Sequence, residues 1–178
     1  MKKVIKLEPP FKPLICPKAT GFFKSLLWPD SCVFEWGSGA STLWLAQQVK
    51  EGRLISIEHE PGWHREVVRA LREHGLQADI RLVNEVKYPG AISEFPDEFF
   101  DIVFLDGLDR TRTACAANVV PKLKPGGWLV VDDTNWPWLR AALRRLAAWD
   151  QVEYTGEKTG RSDGKVIRGT TTFYRRPE

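Results

Sequence analysis

Cysteine is scarce in this sequence. Cys16, Cys32 and Cys115 are the whole supply, an odd number with no C-x-x-C pair, which argues against a disulfide framework and a thiolate zinc site and fits a reducing cytoplasm. Net charge is scarce as well: Lys and Arg number 26 against 23 acids, and an excess of +3 is too small to announce a nucleic-acid partner. Long apolar runs are missing, since nothing approaches the roughly 20 residues that a bilayer span needs. The opening MKKVIKLEPPFKPLICPK is interrupted by Pro9, Pro10, Lys12 and Pro13, so it lacks the unbroken apolar centre of a signal peptide. Internal repeats are absent too.

What is present reads as a globular protein. Hydrophobic residues at 43% and charged residues at 28% are enough to bury a core. A chain of 178 residues suits one domain, here 1–178 with 1–30 as an entry segment, because domains usually hold about 50 to 250 residues. Basic residues gather late, at Arg140, Arg144, Arg145, Lys158, Arg161, Lys165, Arg168, Arg175 and Arg176, and are read as a solubilising exposed end.

Along the chain, strands and helices alternate. A proline-rich segment over 1–17 leads into a short helix from Lys18 to Leu27 that stops before Pro29. Strands follow at Cys32–Phe34, Leu54–Ile57, Ile80–Val83, Phe100–Leu105 and Trp128–Val131. Between them come helices at Ser41–Val49, Pro61–His74 and Arg112–Leu123, a loop over 84–98 and a turn over 124–127. A helix from Trp138 to Ala148 comes next, and Val152–Thr155 with Thr170–Tyr174 forms a final antiparallel hairpin around a long connection from Gly156 to Gly164. This order predicts an α/β, Rossmann-like, doubly wound and mostly parallel sheet, with ligands beyond the carboxyl ends of its strands.

The polar motifs fall at those ends. Glu35-Trp36-Gly37-Ser38-Gly39-Ala40-Ser41-Thr42 closes the first strand, Glu58-His59 the second, Asn84-Glu85 the third, Asp106-Gly107 the fourth and Asp132-Asp133 the fifth. A lone G-x-G is weak evidence, but one set between strand and helix, with an acid about 20 residues on at the next strand's end, is much stronger. Gly37 and Gly39 let backbone approach a ligand that a Cβ would obstruct, with Ser41 and Thr42 near the helix start. Glu58 is placed to accept both hydroxyls of a ribose, and Asp106 with Asn84 or Glu85 to fix the adenine end or an amino group. Thr42 stands where a dinucleotide fingerprint wants its third glycine, and Glu35 offers charge to a sulfonium or ammonium; both weigh against an NAD(P)-dependent oxidoreductase.

Together Glu35-x-Gly37-x-Gly39, Glu58, Asp106 and the Leu123-Lys124-Pro125-Gly126-Gly127-Trp128 turn resemble the class I S-adenosylmethionine-dependent methyltransferases over residues 31–135. The resemblance implies a seven-stranded sheet whose last strand is antiparallel, and S-adenosylmethionine as cofactor. It puts Gly37, Ser38 and Gly39 along the methionine part, Glu58 on the ribose, and His59, Asn84 and Glu85 near adenine. A small NAD(P)-dependent oxidoreductase and a non-catalytic cofactor-binding protein are the alternatives.

Transfer to a hydroxyl requires removal of its proton, and the acids at the carboxyl edge, Asp106 and Asp132 first, are the candidate catalytic groups. Asp106, Asp132 and Asp133 also resemble the cation-binding acids of the catechol and caffeoyl-CoA O-methyltransferases. Asp133 takes the place of an amide there, and Asp109-Arg110 stands where that group carries a basic lysine. The reading adopted is no metal, with Asp106 on the cofactor and Asp132 and Asp133 capping the next helix. Asp106-Gly107-Leu108-Asp109 departs from the Asn/Asp-Pro-Pro-aromatic pattern of base methyltransferases, so the expected partner is a small-molecule acceptor and not nucleic acid. Trp136 and Trp138 flank its entrance; Trp28, Trp44, Trp63, Trp128 and Trp149 are expected to pack in or around the core.

Overall fold

The computed structural model describes residues 6–159 and 165–178. Its centre is a seven-stranded sheet in the order β3-β2-β1-β4-β5-β7-β6. The strands are β1 Cys32–Trp36, β2 Arg53–Glu58, β3 Asp79–Leu82, β4 Phe100–Leu105, β5 Leu123–Val131, β6 Asp150–Thr159 and β7 Val166–Arg175. β1 to β5 pair in parallel, and β7 runs antiparallel to both of its neighbours. The expected doubly wound sheet is therefore present, and one antiparallel strand closes it.

Period-two alternation explains why the strands are apolar on both faces. Val33, Ile102, Phe104, Val130 and Phe173 join one core, under helices α1 (Pro17–Leu26), α2 (Ala40–Gln48) and α3 (Pro61–Glu73). Phe34, Trp36, Val103, Leu105, Leu129, Val131 and Tyr174 join the other, under α4 (Arg112–Val119) and α5 (Pro137–Ala142). Leu7, Phe11 and Ile15 pack into the first core, and the Leu7 amide donates to Glu66 Oε1 at 2.8 Å, so the proline-rich segment is anchored.

Several boundaries move. The helix expected to run to Leu123 is α-helical to Val119 and tightens into a 3-10 turn at Val120–Lys122, and the helix expected to run to Ala148 ends at Ala142 with a 3-10 turn at Leu143–Leu146. Lys124 to Gly127 do form a projection, but inside β5: the ladder jumps from Phe100 opposite Leu123 to Ile102 opposite Trp128. The hairpin is longer than expected, with Asp150 to Thr159 paired against Val166 to Arg175. Residues 156–159 are thus strand and not connection, while 160–164, including Arg161, lie outside the described residues. Trp28 is 69% exposed and is no core residue. Among the described residues no helix is long and apolar enough to cross a membrane.

The topology selects one place for chemistry. β1 lies between β2 and β4, so the chain leaves β1 toward one face and β4 toward the other, and the crevice opens between the two departing loops.

Candidate functional site

The turn after β1 is built from beneath by a carboxylate. Glu35 is fully buried, and its oxygens accept hydrogen bonds from the hydroxyls of Ser41, Thr42 and Ser56, each at 2.5 Å. Burial pushes its pKa up to about 7, against the pull of the three hydroxyls and with a further push from Glu58. Thr42 Oγ1 also accepts from the Gly39 amide at 2.8 Å, which caps the first turn of α2. Glu35, Ser41 and Thr42 therefore meet one another under the turn, and a ligand would reach any of them only by displacing one of these bonds.

Above them the glycines face open backbone. Gly37 has φ +98°, and a Cβ there would lie 2.7 Å from Gly107 Cα and 2.8 Å from the Asp106 carbonyl oxygen. No side chain can enter at that distance, so glycine is required twice over: by its conformation and by the crossing of the loops after β1 and β4. Gly107 is confined in turn, because a Cβ on it would strike the Tyr88 hydroxyl and the Trp36 carbonyl. Tyr88 is buried beneath the crevice.

Glu58 ends β2 and is 3% exposed. Its Oε1 accepts the His59 and Glu60 amides, both at 2.8 Å, and its Oε2 accepts the Ser38 hydroxyl at 3.0 Å. The carboxylate thus points into the glycine turn. His59 Nδ1 is 3.0 Å from Glu58 Oε1 but at an angle that makes no hydrogen bond, and its ring meets Tyr88 edge-on. Trp63 packs against the core, as expected, and also closes this side: its indole N–H donates to the Ser38 carbonyl at 2.6 Å, and its ring flanks Gly39. Pro61, in the first turn of a helix capped by Glu60, places that ring over the turn. An aromatic residue in the first helical turn after the β2 acid was the available signal.

Asn84 and Glu85 follow β3 and are exposed. Asn84 Oδ1 accepts the Lys87 amide at 3.1 Å, and Glu85 pairs with Arg110 from the loop after β4. These two loops form the far wall of the crevice beside His59.

The carboxyl ends of β4 and β5 carry the ionic half. Asp106, Asp132 and Asp133 bring oxygens within 4.8 Å of one another. Two cations are set among them. Arg112, 3% exposed, donates to Asp106 Oδ1, to the Gly107 carbonyl and to the Asp132 carbonyl, each at 2.9 Å. Lys158 reaches in from β6 and donates to Asp132 Oδ2 and, at 2.8 Å, to Asp133 Oδ1. The remaining Asp132 oxygen accepts the Thr171 hydroxyl at 2.8 Å. Burial and the neighbouring Asp132 push the Asp106 pKa up to about 7, with Arg112 and Lys158 opposing.

Two expectations are corrected here. Asp132 and Asp133 do not cap the following helix: α5 begins at Pro137 after Trp136 with no side-chain cap. Asp133 instead takes a left-handed conformation, φ +57°, that turns its carboxylate back into the cluster. Lys158 is no part of a solvated basic end, being buried at 7% exposure. Sequence spacing could not reveal this, because Lys158 lies 25 positions after Asp133, beyond α5 and near the far end of β6.

At the mouth, the Trp136 ring lies 5.0 Å from the Arg112 guanidinium carbon, and Trp138, 46% exposed, leans against it at 5.4 Å. The arrangement has one half of backbone, hydroxyls and two carboxylates held by neutral donors, and a charged half that can take a proton.

A methyltransferase domain family matches residues 34–134 of the chain. A protein of Mycobacterium sp. (strain JLS), provisionally named an O-methyltransferase, is 31% identical over 96 residues, covering 53% of this chain and 44% of that protein. The chain thus spans less than half the length of this relative. Among solved structures, an O-methyltransferase of Bacillus cereus in complex with SAH superposes with a TM-score of 0.70 at 18% identity, over 94% of this chain and 84% of that one. A precorrin-6y C5,15-methyltransferase of Geobacter metallireducens GS-15 gives 0.71 at 17% identity over the whole of both chains. At these identities the likeness to the solved structures is one of fold.

Proposed function

The chain belongs to the methyltransferase domain family, and we propose that it transfers the methyl group of S-adenosylmethionine to a hydroxyl of a small-molecule acceptor. The observation that carries this reading is the placement, about the Gly37–Gly107 crossing, of the buried Glu58 carboxylate against the glycine turn and of the Asp106 carboxylate, its pKa raised to about 7, at the end of β4.

The cofactor supplies a methyl already activated on a sulfonium, so the protein's tasks are to align the acceptor and to manage its proton. Glu58 would receive the ribose hydroxyls, the backbone of Gly37 to Gly39 would hold the methionine portion with Trp63 and His59 closing that end against water, and Asn84 and Glu85 would border the adenine. Bound there, the cofactor would supply the methyl carbon, with its thioether as the leaving group. Asp106 would take the proton of the acceptor hydroxyl, with Asp132 balancing charge beside it. A carboxylate whose pKa is raised to about 7 is a better base than an ordinary aspartate, and its ionised share grows as pH rises through that value. The flat faces of Trp136 and Trp138 suit an aromatic or ring-shaped acceptor.

Calorimetric titration tests the cofactor half. S-adenosylmethionine and S-adenosylhomocysteine should bind with one site per chain, and Glu58→Ala should weaken both by about 1 to 3 kcal/mol. Binding of NAD in their stead would overturn the reading. Release of S-adenosylhomocysteine in the presence of a panel of phenols and catechols tests the acceptor half, with binding but no turnover pointing to a non-catalytic protein.

A further inference from the structure

The donor set at Asp106, Asp132 and Asp133 is one that a divalent cation would use, three carboxylates with oxygens within 4.8 Å. The position between Asp132 and Asp133, however, is taken by the ammonium of Lys158. A second cation, Arg112, stands on the Asp106 side, with its Nη1 3.7 Å from Asp133 Oδ2. The residues present do not fit a resident metal.

The fold is arranged to bring the lysine there. β6 is an edge strand whose residues are exposed or half-buried throughout, except Lys158. A lysine in that place would ordinarily extend into water, because burying it costs both solvation and side-chain freedom. Burial does pull its pKa down, yet Asp132 and Asp133 outweigh that, and the net shift is upward. Room for the stem comes from the partner strand. A Cβ on Gly169 would lie 2.6 Å from Lys158 Cε and 3.2 Å from Asp133 Oδ1. Glycine in β7 thus opens a slot through which the lysine passes from the sheet edge to the carboxylates.

We infer that Lys158 is the built-in cation of this carboxylate cluster, occupying the place of a divalent ion, and that the chain needs no metal for the reaction at this site. Lys158 is a positioning residue: it fixes Asp132 and Asp133 and leaves Asp106, on the open side, as the group that exchanges a proton. The assignment rests on the site proposed above for methyl transfer, but ion binding can be read without turnover.

The test follows free Mn2+ by electron paramagnetic resonance during titration of the whole chain. The wild-type protein should take up no stoichiometric ion from the micromolar to the millimolar range, and its cofactor affinity and turnover should survive excess EDTA. Lys158→Met, which keeps the stem in the Gly169 slot and removes the charge, should bind one Mn2+ per chain and melt at a higher temperature with the ion than without it. Adding Asp132→Ala to that variant, which removes a central carboxylate of the cluster, should abolish the uptake. Lys158→Gln, which keeps a donor to Asp132, serves if the methionine variant does not fold. Stoichiometric uptake by the wild type, or none by a folded lysine variant, overturns the inference. Failure of the wild type to bind S-adenosylmethionine would sink the methyl-transfer reading and leave the Mn2+ outcomes to be judged alone.

Discussion

The two halves of the crevice solve the same problem, holding polar groups away from water, by different means. At the ends of β1 and β2 the means are local: three hydroxyls on Glu35, two amides and a hydroxyl on Glu58, and a glycine turn that brings backbone close. At the ends of β4 and β5 they are long-range: Arg112, Lys158 and Thr171 come from three different elements to meet Asp106, Asp132 and Asp133. The first half satisfies acids with neutral donors and the second with ions. Neutral satisfaction leaves a rigid surface for a cofactor, and ionic satisfaction leaves one that responds to protons.

Breaking the ionic half should cost most. Arg112→Ala strips Asp106 of its guanidinium and leaves two carbonyls unpaired, an expected loss of about 3 to 5 kcal/mol in urea unfolding; a loss under about 1 kcal/mol would mean that water repairs the cluster. Next comes Gly37→Ala, where a methyl meets the Gly107 backbone in a left-handed conformation. About 3 kcal/mol of stability should go, with cofactor binding lost alongside. Glu35→Gln probes how the neutral half responds to pH. A carboxyl held at about 7 when folded and near 4.5 when unfolded favours the folded state in its protonated form. Its contribution is therefore full below the unfolded value and is lost as pH rises through the folded one. Unfolding at about pH 5 and about pH 8 should show a decline in the wild type that the glutamine variant flattens by about 1 to 3 kcal/mol. The smallest energy and the sharpest contrast belong to Asp106→Asn, which keeps an oxygen for Arg112. In the wild type kcat/KM should rise with pH through about 7 as Asp106 ionises, and in the variant that limb should vanish while the cofactor Kd holds.

The same contrast separates what the order of residues displays from what only folding brings together. The neutral half lies within Glu35 to Trp63, one strand, turn, helix, strand and helix start, so spacing alone carries Gly37, Ser38, Gly39 and Glu58 to a common edge. Apolar runs and glycine turns likewise mark the parallel strands, because burial on both faces leaves a plain pattern. The ionic half is legible in its acids, each at a strand end, and illegible in its cations. Arg112 reads as a helix start, and Lys158 as one more charge on a solvated tail. Nothing in the one-dimensional pattern says that Gly169 clears a path for that lysine, since the path exists only once β6 and β7 are paired. Trp63 escapes notice for a simpler reason: a tryptophan in an amphipathic helix reads as core unless the turn above it is already known.

The crossing of Gly37 with Gly107 leaves no slack between the two loops that form the crevice. Whatever lifts one must drag the other, as with meshed teeth. Redesign of this scaffold for a new acceptor accordingly has little freedom at its centre. Its adjustable parts lie at the rim, in the Trp136–Trp138 pair and the strand that carries Lys158, where a residue can be exchanged without unseating the donor from its target.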